Sequence, residues 1–180
     1  MIKYVAADIS FQEIPGQLAL VFYISGCPNH CPGCHSPILQ QDVGLPLTAD
    51  VLREYCERYE GMFNCVCFMG AGGDFKGIAR LVLEAKLLGK HAALYTGAED
   101  VPMFLWGLLS YLKVGPYMEE MGGLASPGTN QVFWRIDHFG QRYDETRKFH
   151  CDAPAEVAIR RGESIMRTFK ALSVEQQEVS

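Results

Sequence analysis

The chain has no long run of lysine and arginine and no apolar segment of membrane-spanning length. Its 16 Lys and Arg residues are outnumbered by 21 Asp and Glu residues, which leaves a net charge of −5. This net negative charge argues against a protein that binds the phosphates of nucleic acid. The longest apolar run, 101–112, contains Gly107 and Ser110 and is shorter than the roughly 20 residues that span a bilayer. We therefore expect neither a nucleic-acid partner nor a membrane partner.

The first residues also lack the continuous apolar segment of a secretory signal peptide, because Asp8 interrupts them. No internal repeat or low-complexity linker is present. The seven cysteines are an odd number, which would leave one of them unpaired in a secreted disulfide framework. Clustered cysteines in a cytoplasmic protein usually serve metal or redox chemistry. We therefore predict a cytoplasmic protein.

Three of the cysteines, Cys27, Cys31 and Cys34, lie in one short loop with the spacing C-x3-C-x2-C, and no fourth cysteine follows closely. Three thiolates can hold three irons of a [4Fe–4S] cluster and leave the fourth iron free to bind a ligand. The remaining cysteines are scattered along the chain, and small buried apolar side chains are the simplest interpretation of them. They are Cys56, Cys65, Cys67 and Cys151.

A zinc site remains open as an alternative for this loop. Three cysteines with His30 or His35 would form a tetrahedral Cys3His set, and His150-Cys151 is a more distant candidate for the fourth ligand. Structural zinc sites usually pair two short Cys/His hairpins, and the chain has no second C-x2-C or H-x3-H. The spacing therefore favours the iron–sulfur cluster over zinc.

Apolar runs alternate with helical patterns along the chain. Strands are predicted at 4–9, 18–24, 62–69, 91–95 and 110–114, with mixed strand character at 131–139. Helices are predicted at 48–59 with Thr48 as N-cap, at 76–88, at 100–109 and, near the end, at 154–172. The alternation predicts an α/β fold with a parallel sheet of βαβ units, too few for a closed barrel of about 250 residues. We expect an open partial (βα) barrel over 1–150 and a C-terminal extension, helical and then frayed, over 151–180.

Several loops fall at the predicted carboxyl ends of strands, where ligands bind in such folds. They are the cysteine loop, Gly72-Gly73-Asp74, Thr96-Gly97 and Gly115-Pro116. Glycines there would let a ligand approach the backbone, and Asp74 would either cap the next helix or bind a ligand ammonium group. Lys113 would either pair with a ligand carboxylate or hydroxyl, or extend to the protein surface.

Residues 25–37 resemble the cluster loop of radical S-adenosylmethionine (SAM) enzymes. Within that superfamily, the segment Cys31-Pro32-Gly33-Cys34-His35 is similar to that of the activating enzymes of anaerobic ribonucleoside-triphosphate reductase. Gly72-Gly73-Asp74, Tyr95-Thr96-Gly97, 111–117 and 124–131 resemble further motifs of this family, in the same order. The resemblance covers about residues 4–135.

This resemblance implies a radical SAM fold reduced in size, in which Cys27, Cys31 and Cys34 hold a [4Fe–4S] cluster and SAM chelates the open iron. One electron from the reduced cluster would cleave SAM, and the resulting 5′-deoxyadenosyl radical would take a hydrogen atom from a glycine of the reductase. The electron would come from a low-potential donor such as flavodoxin or ferredoxin. The residues that the resemblance places at the SAM site are Gly33, Cys34, His35, Gly72, Gly73 and Asp74.

Two alternatives to this function remain at the level of the sequence. The same cluster residues would serve an activating enzyme of another glycyl-radical protein, or a radical SAM enzyme that modifies a peptide. A zinc-stabilised interaction module is the alternative that is not an enzyme. Metal content separates the last alternative from the first two, because only the enzymes require iron and sulfide.

Overall fold

The computed structural model describes residues 1–150, and these form an α/β fold around one open, mixed sheet. The extension 151–180, with the helix expected at 154–172 and Cys151, lies outside the described residues. The strands are β1 (Lys3–Ser10), β2 (Ala19–Ile24), β3 (Leu45–Pro46), β4 (Cys65–Met69), β5 (His91–Tyr95), β6 (Tyr111–Val114), β7 (Val132–Ile136) and β8 (Arg142–Asp144). The helices are α1 (Ala49–Arg58), α2 (Phe75–Leu87) and α3 (Met103–Trp106), with short 3-10 helices at Pro37–Gln40 and Thr146–Phe149. The strand order is β3-β1-β2-β4-β5-β6-β7-β8.

The centre of the sheet is parallel. Strands β2, β4, β5 and β6 pair side by side in the same direction, and α1, α2 and α3 lie in the connections between them. Their sequences are nearly continuous apolar runs because the strands are buried on both faces; every residue of β2 is buried. The prediction of an α/β fold with βαβ units is confirmed for this part of the sheet.

The prediction of a wholly parallel sheet was wrong at both edges. Strand β1 is antiparallel to both β2 and β3, and β7 is antiparallel to both β6 and β8. Parallel neighbours need a crossover, usually a helix, whereas antiparallel neighbours can be joined by a simple reversal of the chain. The segments between β1 and β2 and between β6 and β7 contain no helix, so the strands that they join run in opposite directions.

The helices follow their predicted ends closely, with one exception. Thr48 caps α1, as predicted: its Oγ1 accepts a hydrogen bond from the Val51 N–H at 3.2 Å. Helix α3 is only four residues long, shorter than the predicted 100–109. The residue before a proline avoids the helical region, and Pro102 is itself extended, so α3 begins only at Met103. No helix of residues 1–150 is both long and apolar enough to cross a membrane.

The 3-10 helix at Pro37–Gln40 directly follows the cysteine loop, where the sequence predicts no helix. Proline is tolerated in the first turn, where its missing N–H would have no partner in any case. This short helix buries Leu39, whose carbonyl accepts a hydrogen bond from the Cys27 N–H at 2.8 Å. It therefore forms a wall against which the cysteine loop is held.

The sheet separates two apolar clusters. The helices cover one face, where Leu52, Ile78 and Val82 are fully buried. The other face is covered mainly by loops, and Ile14 from the segment between β1 and β2 is fully buried there. Cys65 and Cys67 point to this second face, and burial raises the pKa of the Cys65 thiol to about 12. The prediction that Cys56, Cys65 and Cys67 are buried apolar side chains is confirmed.

Candidate active site

The three loop cysteines lie beyond the carboxyl end of β2 and line one cavity of about 260 Å³. This volume is close to the lower end of the roughly 300–1,000 Å³ typical of small-molecule sites. The carboxyl ends of the neighbouring parallel strands contribute Met69 and Gly70 from β4, 95–97 from β5 and Lys113 from β6. The segment between β6 and β7 completes the wall with Tyr117, Gly123, Leu124 and Gln131.

Two backbone hydrogen bonds fix the start of the cysteine loop, and a bond to a cysteine sulfur lies within its end. At its start, Gly26 N–H donates to the Gln41 carbonyl at 2.8 Å, next to the bond between Cys27 and Leu39. At its end, the Cys34 Sγ accepts the Ser36 N–H at 3.4 Å. All three thiols are free and half-buried. The arrangement presents three half-buried thiols, held in one loop, to a single cavity.

The electrostatics of the loop reflect its partial burial. Burial raises the pKa of the Cys27 thiol, while a backbone hydrogen bond from Asn29 and the charge of Lys113 partly oppose that rise.

In residues 1–150, no three His, Cys, Asp or Glu side chains are arranged so that they could hold a metal ion. A mononuclear site needs ligands that converge on one point, whereas each thiolate of a cubane binds a different iron.

Lys113 is buried in this cavity, with 9% of its surface exposed. The interpretation of Lys113 as a surface lysine was therefore wrong. Its Nζ donates a hydrogen bond to the Gly115 carbonyl at 2.8 Å, which uses one of its three N–H donors. Burial lowers the pKa of Lys113 to about 8, although the nearby thiols of the cysteine loop act in the opposite direction. The cavity thus contains a cation with donors available to an anionic ligand group.

The structure brings some of the predicted SAM-site residues to the cavity wall and leaves others outside it. Cys34 and His35 line the cavity, and the His35 ring packs edge-on against Tyr117 with a centroid distance of 4.9 Å. Gly33 adopts φ +67°, and a Cβ added there would lie 3.4 Å from Tyr117 and Glu119 side-chain atoms. These three residues therefore form the outer part of the cysteine loop, against the segment after β6.

Gly72, Gly73 and Asp74 do not line the cavity, although they lie beside the cysteine loop. A Cβ added to Gly72 would lie 3.2 Å from the Pro28 Cδ, and one added to Gly73 would lie 3.9 Å from the Gly26 carbonyl oxygen. Asp74 Oδ1 accepts the Gly77 N–H at 2.8 Å at the start of α2. Of the two roles considered for Asp74, the structure shows the helix cap.

Several cavity residues were not singled out from the sequence. Gln131 is buried, and its Nε2 lies 3.5 Å from the same Gly115 carbonyl that Lys113 contacts. Asn29 is also in the wall, and its Nδ2 donates to the Gly97 carbonyl at 2.6 Å. The available signal was position: Gln131 ends a segment that resembles a family motif, and Asn29 stands between two of the loop cysteines.

The fold and the site define an α/β protein with three free cysteines and one buried lysine in a cavity at the carboxyl ends of its parallel strands. No family model matches the chain, and no curated protein matches it.

Proposed function

We propose that this chain is a radical SAM activating enzyme, which forms a glycyl radical on anaerobic ribonucleoside-triphosphate reductase. We also propose that its open sheet is a reduced partial (βα) barrel. One observation carries the proposal: Cys27, Cys31 and Cys34, in the loop that resembles the radical SAM motif, line a single cavity at the carboxyl ends of the parallel strands. Open α/β sheets bind their ligands at this edge.

The donor set of this cavity fits a [4Fe–4S] cluster. Its three thiols are free, and no fourth cysteine from residues 1–150 lines the cavity. Cys27, Cys31 and Cys34 would hold three irons and leave the fourth iron available to SAM. When bound and reduced, such a cluster supplies a low-potential electron for the cleavage of SAM.

The other cavity residues would bind and orient SAM. The Lys113 ammonium group has donors left after its bond to Gly115, and a charge-assisted hydrogen bond to the SAM carboxylate would use one of them. Apolar side chains of Leu39, Met69 and Leu124 also line the cavity; they would limit the access of water around bound SAM and so strengthen such charge interactions. Lys113 would thereby fix the methionine end of SAM beside the cysteine loop.

A protein substrate also suits the shape of the sheet. Within residues 1–150 its edge strands β3 and β8 are not joined, so the described sheet does not close into a barrel around the cavity. The reacting glycine of a reductase belongs to a polypeptide segment, which needs more space than a small molecule. An open sheet would admit such a segment to the cysteine loop.

The proposal is tested by forming the radical on the reductase. The chain and the reductase are co-expressed, purified without oxygen and given SAM with reduced flavodoxin or ferredoxin, and the glycyl radical is detected by electron spin resonance. We expect a radical signal with the wild-type chain and none with Cys31→Ala. SAM cleavage without a radical on the reductase would contradict the proposal that the reductase is the substrate. It would favour another glycyl-radical protein or a peptide as the substrate.

Gly73→Val is expected to weaken SAM binding by about tenfold or more while leaving stability within about 0.5 kcal/mol of wild type. A Cβ added at Gly73 causes no clash, because its nearest protein atom, the Gly26 carbonyl oxygen, lies 3.9 Å away, an ordinary van der Waals distance. Gly73 lies outside the cavity wall but beside the cysteine loop, so the larger side chain would obstruct a part of SAM that extends from the cavity along this backbone. Equilibrium SAM binding by the anaerobic protein measures the first effect, and thermal unfolding measures the second.

Gly107→Val is the matched control for this variant. A Cβ at Gly107 also has its nearest contact at 3.9 Å, and Gly107 lies after α3, outside the cavity wall. We expect it to bind SAM as the wild type does. Equal SAM affinity of Gly73→Val and Gly107→Val would remove Gly73 from the site.

A further inference from the structure

We infer that Asn29 is a positioning residue that fastens the cysteine loop to the end of β5, and that Gly72 and Gly97 are glycines because the loop docks against them. The inference rests on the proposed function only in taking this loop to hold the cluster. It assigns a purpose to the two strand-end glycines that is separate from the binding of SAM.

The contact between Asn29 and Gly97 is close and specific. Asn29 Nδ2 donates to the Gly97 carbonyl at 2.6 Å, across 68 residues of sequence. A Cβ added to Gly97 would lie 2.9 Å from both the Cγ and the Nδ2 of Asn29, a separation that real Cβ atoms essentially never show. Gly97 does not have the positive φ that favours glycine. Position 97 is therefore a glycine because any larger residue would take the space of the Asn29 side chain, and not because of its backbone conformation.

The preceding loop residue docks in the same way on the neighbouring strand. Pro28 Cδ would lie 3.2 Å from a Cβ added to Gly72, which follows β4 and also has no positive φ. The same Cβ would lie 3.5 Å from Oγ1 of the buried Thr96. Pro28 and Asn29 thus occupy the space that two glycines leave at the ends of adjacent parallel strands.

The residue after Asn29, His30, has an unusual backbone conformation. His30 has φ +45° and is the one non-glycine residue of 1–150 with a positive φ. A histidine in this region is disfavoured by contact between its Cβ and the backbone. His30 lies between the docked Asn29 and Cys31, so the anchor holds the chain in the turn that directs Cys31 towards the cavity.

Within residues 1–150, the other hydrogen bonds at Cys31 are long or come from the loop itself. The Cys27 N–H is held by the Leu39 carbonyl at the start of the loop, and the Cys34 Sγ accepts the Ser36 N–H. The Cys31 carbonyl accepts the Gln40 Nε2 at 3.4 Å, a long bond, and the Cys34 N–H at 3.3 Å from within the loop itself. The position of the middle cysteine therefore depends on Asn29 more than on any other side-chain contact of the described residues.

The test follows the alkylation of each cysteine by iodoacetamide in the full-length, metal-free protein, with mass spectrometry. Asn29→Ala is expected to speed alkylation of Cys31 about two- to tenfold, the effect of one lost hydrogen bond on the opening of the loop. The buried Cys65 and Cys67 should react as in wild type, which shows that the fold is intact. An unchanged Cys31 rate in Asn29→Ala would overturn the inference.

A double-mutant comparison separates docking from a general loss of stability. Gly97→Ala alone should also speed alkylation of Cys31, because its Cβ displaces the Asn29 side chain. Combining it with Asn29→Ala removes both obstructing atoms and leaves only the Asn29 Cβ, at 3.4 Å. The double variant should therefore react like Asn29→Ala alone, whereas rates that multiply would show that the two residues act independently.

The same samples distinguish a failure of this inference from a failure of the proposed function. After anaerobic reconstitution, iron and sulfide are counted in wild type and in Asn29→Ala. Wild type that binds no iron, while the alkylation rates change as expected, would reject the cluster and keep the docking role of Asn29. Wild type with a full cluster and unaltered Cys31 reactivity in Asn29→Ala would reject the docking role and keep the cluster.

Discussion

Replacing Cys27, Cys31 or Cys34 with alanine, one at a time, is expected to remove the iron–sulfur cluster and abolish SAM cleavage. Each thiolate would hold a different iron, so the loss of any one leaves an iron without its protein ligand. The rate of SAM cleavage should fall by more than about 100-fold, because even partners outside the ligand shell cost about 10- to 100-fold when lost. Iron and sulfide content and the yield of methionine from SAM measure the two effects.

Cys56→Ala is the control for these three variants. Cys56 is buried in α1 against the helix-covered face of the sheet, away from the cavity wall. Its replacement should leave iron content and SAM cleavage at wild-type levels. Equal losses in all four variants would show that the loop cysteines do not have the special role proposed for them.

Lys113→Met is expected to weaken SAM binding by about 10- to 150-fold, the value of one hydrogen bond to a charged group. Methionine keeps the length and apolar volume of the side chain but removes the ammonium group. The variant should not unfold at a lower temperature, because a buried charge is costly and an apolar replacement of similar volume is tolerated. Equilibrium binding of SAM to the anaerobic, cluster-containing protein measures the affinity.

Lys76→Met provides the comparison, since Lys76 is exposed on α2 and outside the cavity wall. It should bind SAM with wild-type affinity. Wild-type affinity in Lys113→Met with a full complement of iron would contradict the role of Lys113 in binding SAM. Weak binding that accompanies loss of iron would likewise contradict it, by assigning Lys113 to the stability of the cluster loop instead.

Much of the fold could be predicted because its central strands are apolar runs and its helices have clear ends. The four parallel strands and the cap at Thr48 illustrate this. The direction of an edge strand could not be predicted in the same way, because an apolar run has no direction of its own. The segment that connects two strands decides whether they run parallel or antiparallel. The segment between β6 and β7 has no crossover helix, so β7 runs antiparallel to β6.

At the site, contacts between residues close together in the sequence could be predicted, and contacts between distant residues could not. The three cysteines lie within one loop, so their common cavity follows from their spacing. Two alternatives were left open for Lys113, although its strand held the signal that decides against the protein surface. Leu112 and Val114 pack on the helix-covered face, so Lys113 must point to the opposite face. The bond from Asn29 to Gly97 joins residues 68 apart, and only the folded chain brings them together.

The central claim is that the polypeptide holds three irons of a cluster and leaves the fourth for SAM. It is tested most directly on protein purified without oxygen, by counting metal and sulfide and recording the electron spin resonance of the reduced protein before and after SAM is added. We predict about four irons and four sulfides per chain and a spectrum that changes when SAM binds. One zinc per chain without iron, or a cluster spectrum that SAM leaves unchanged, would contradict the account.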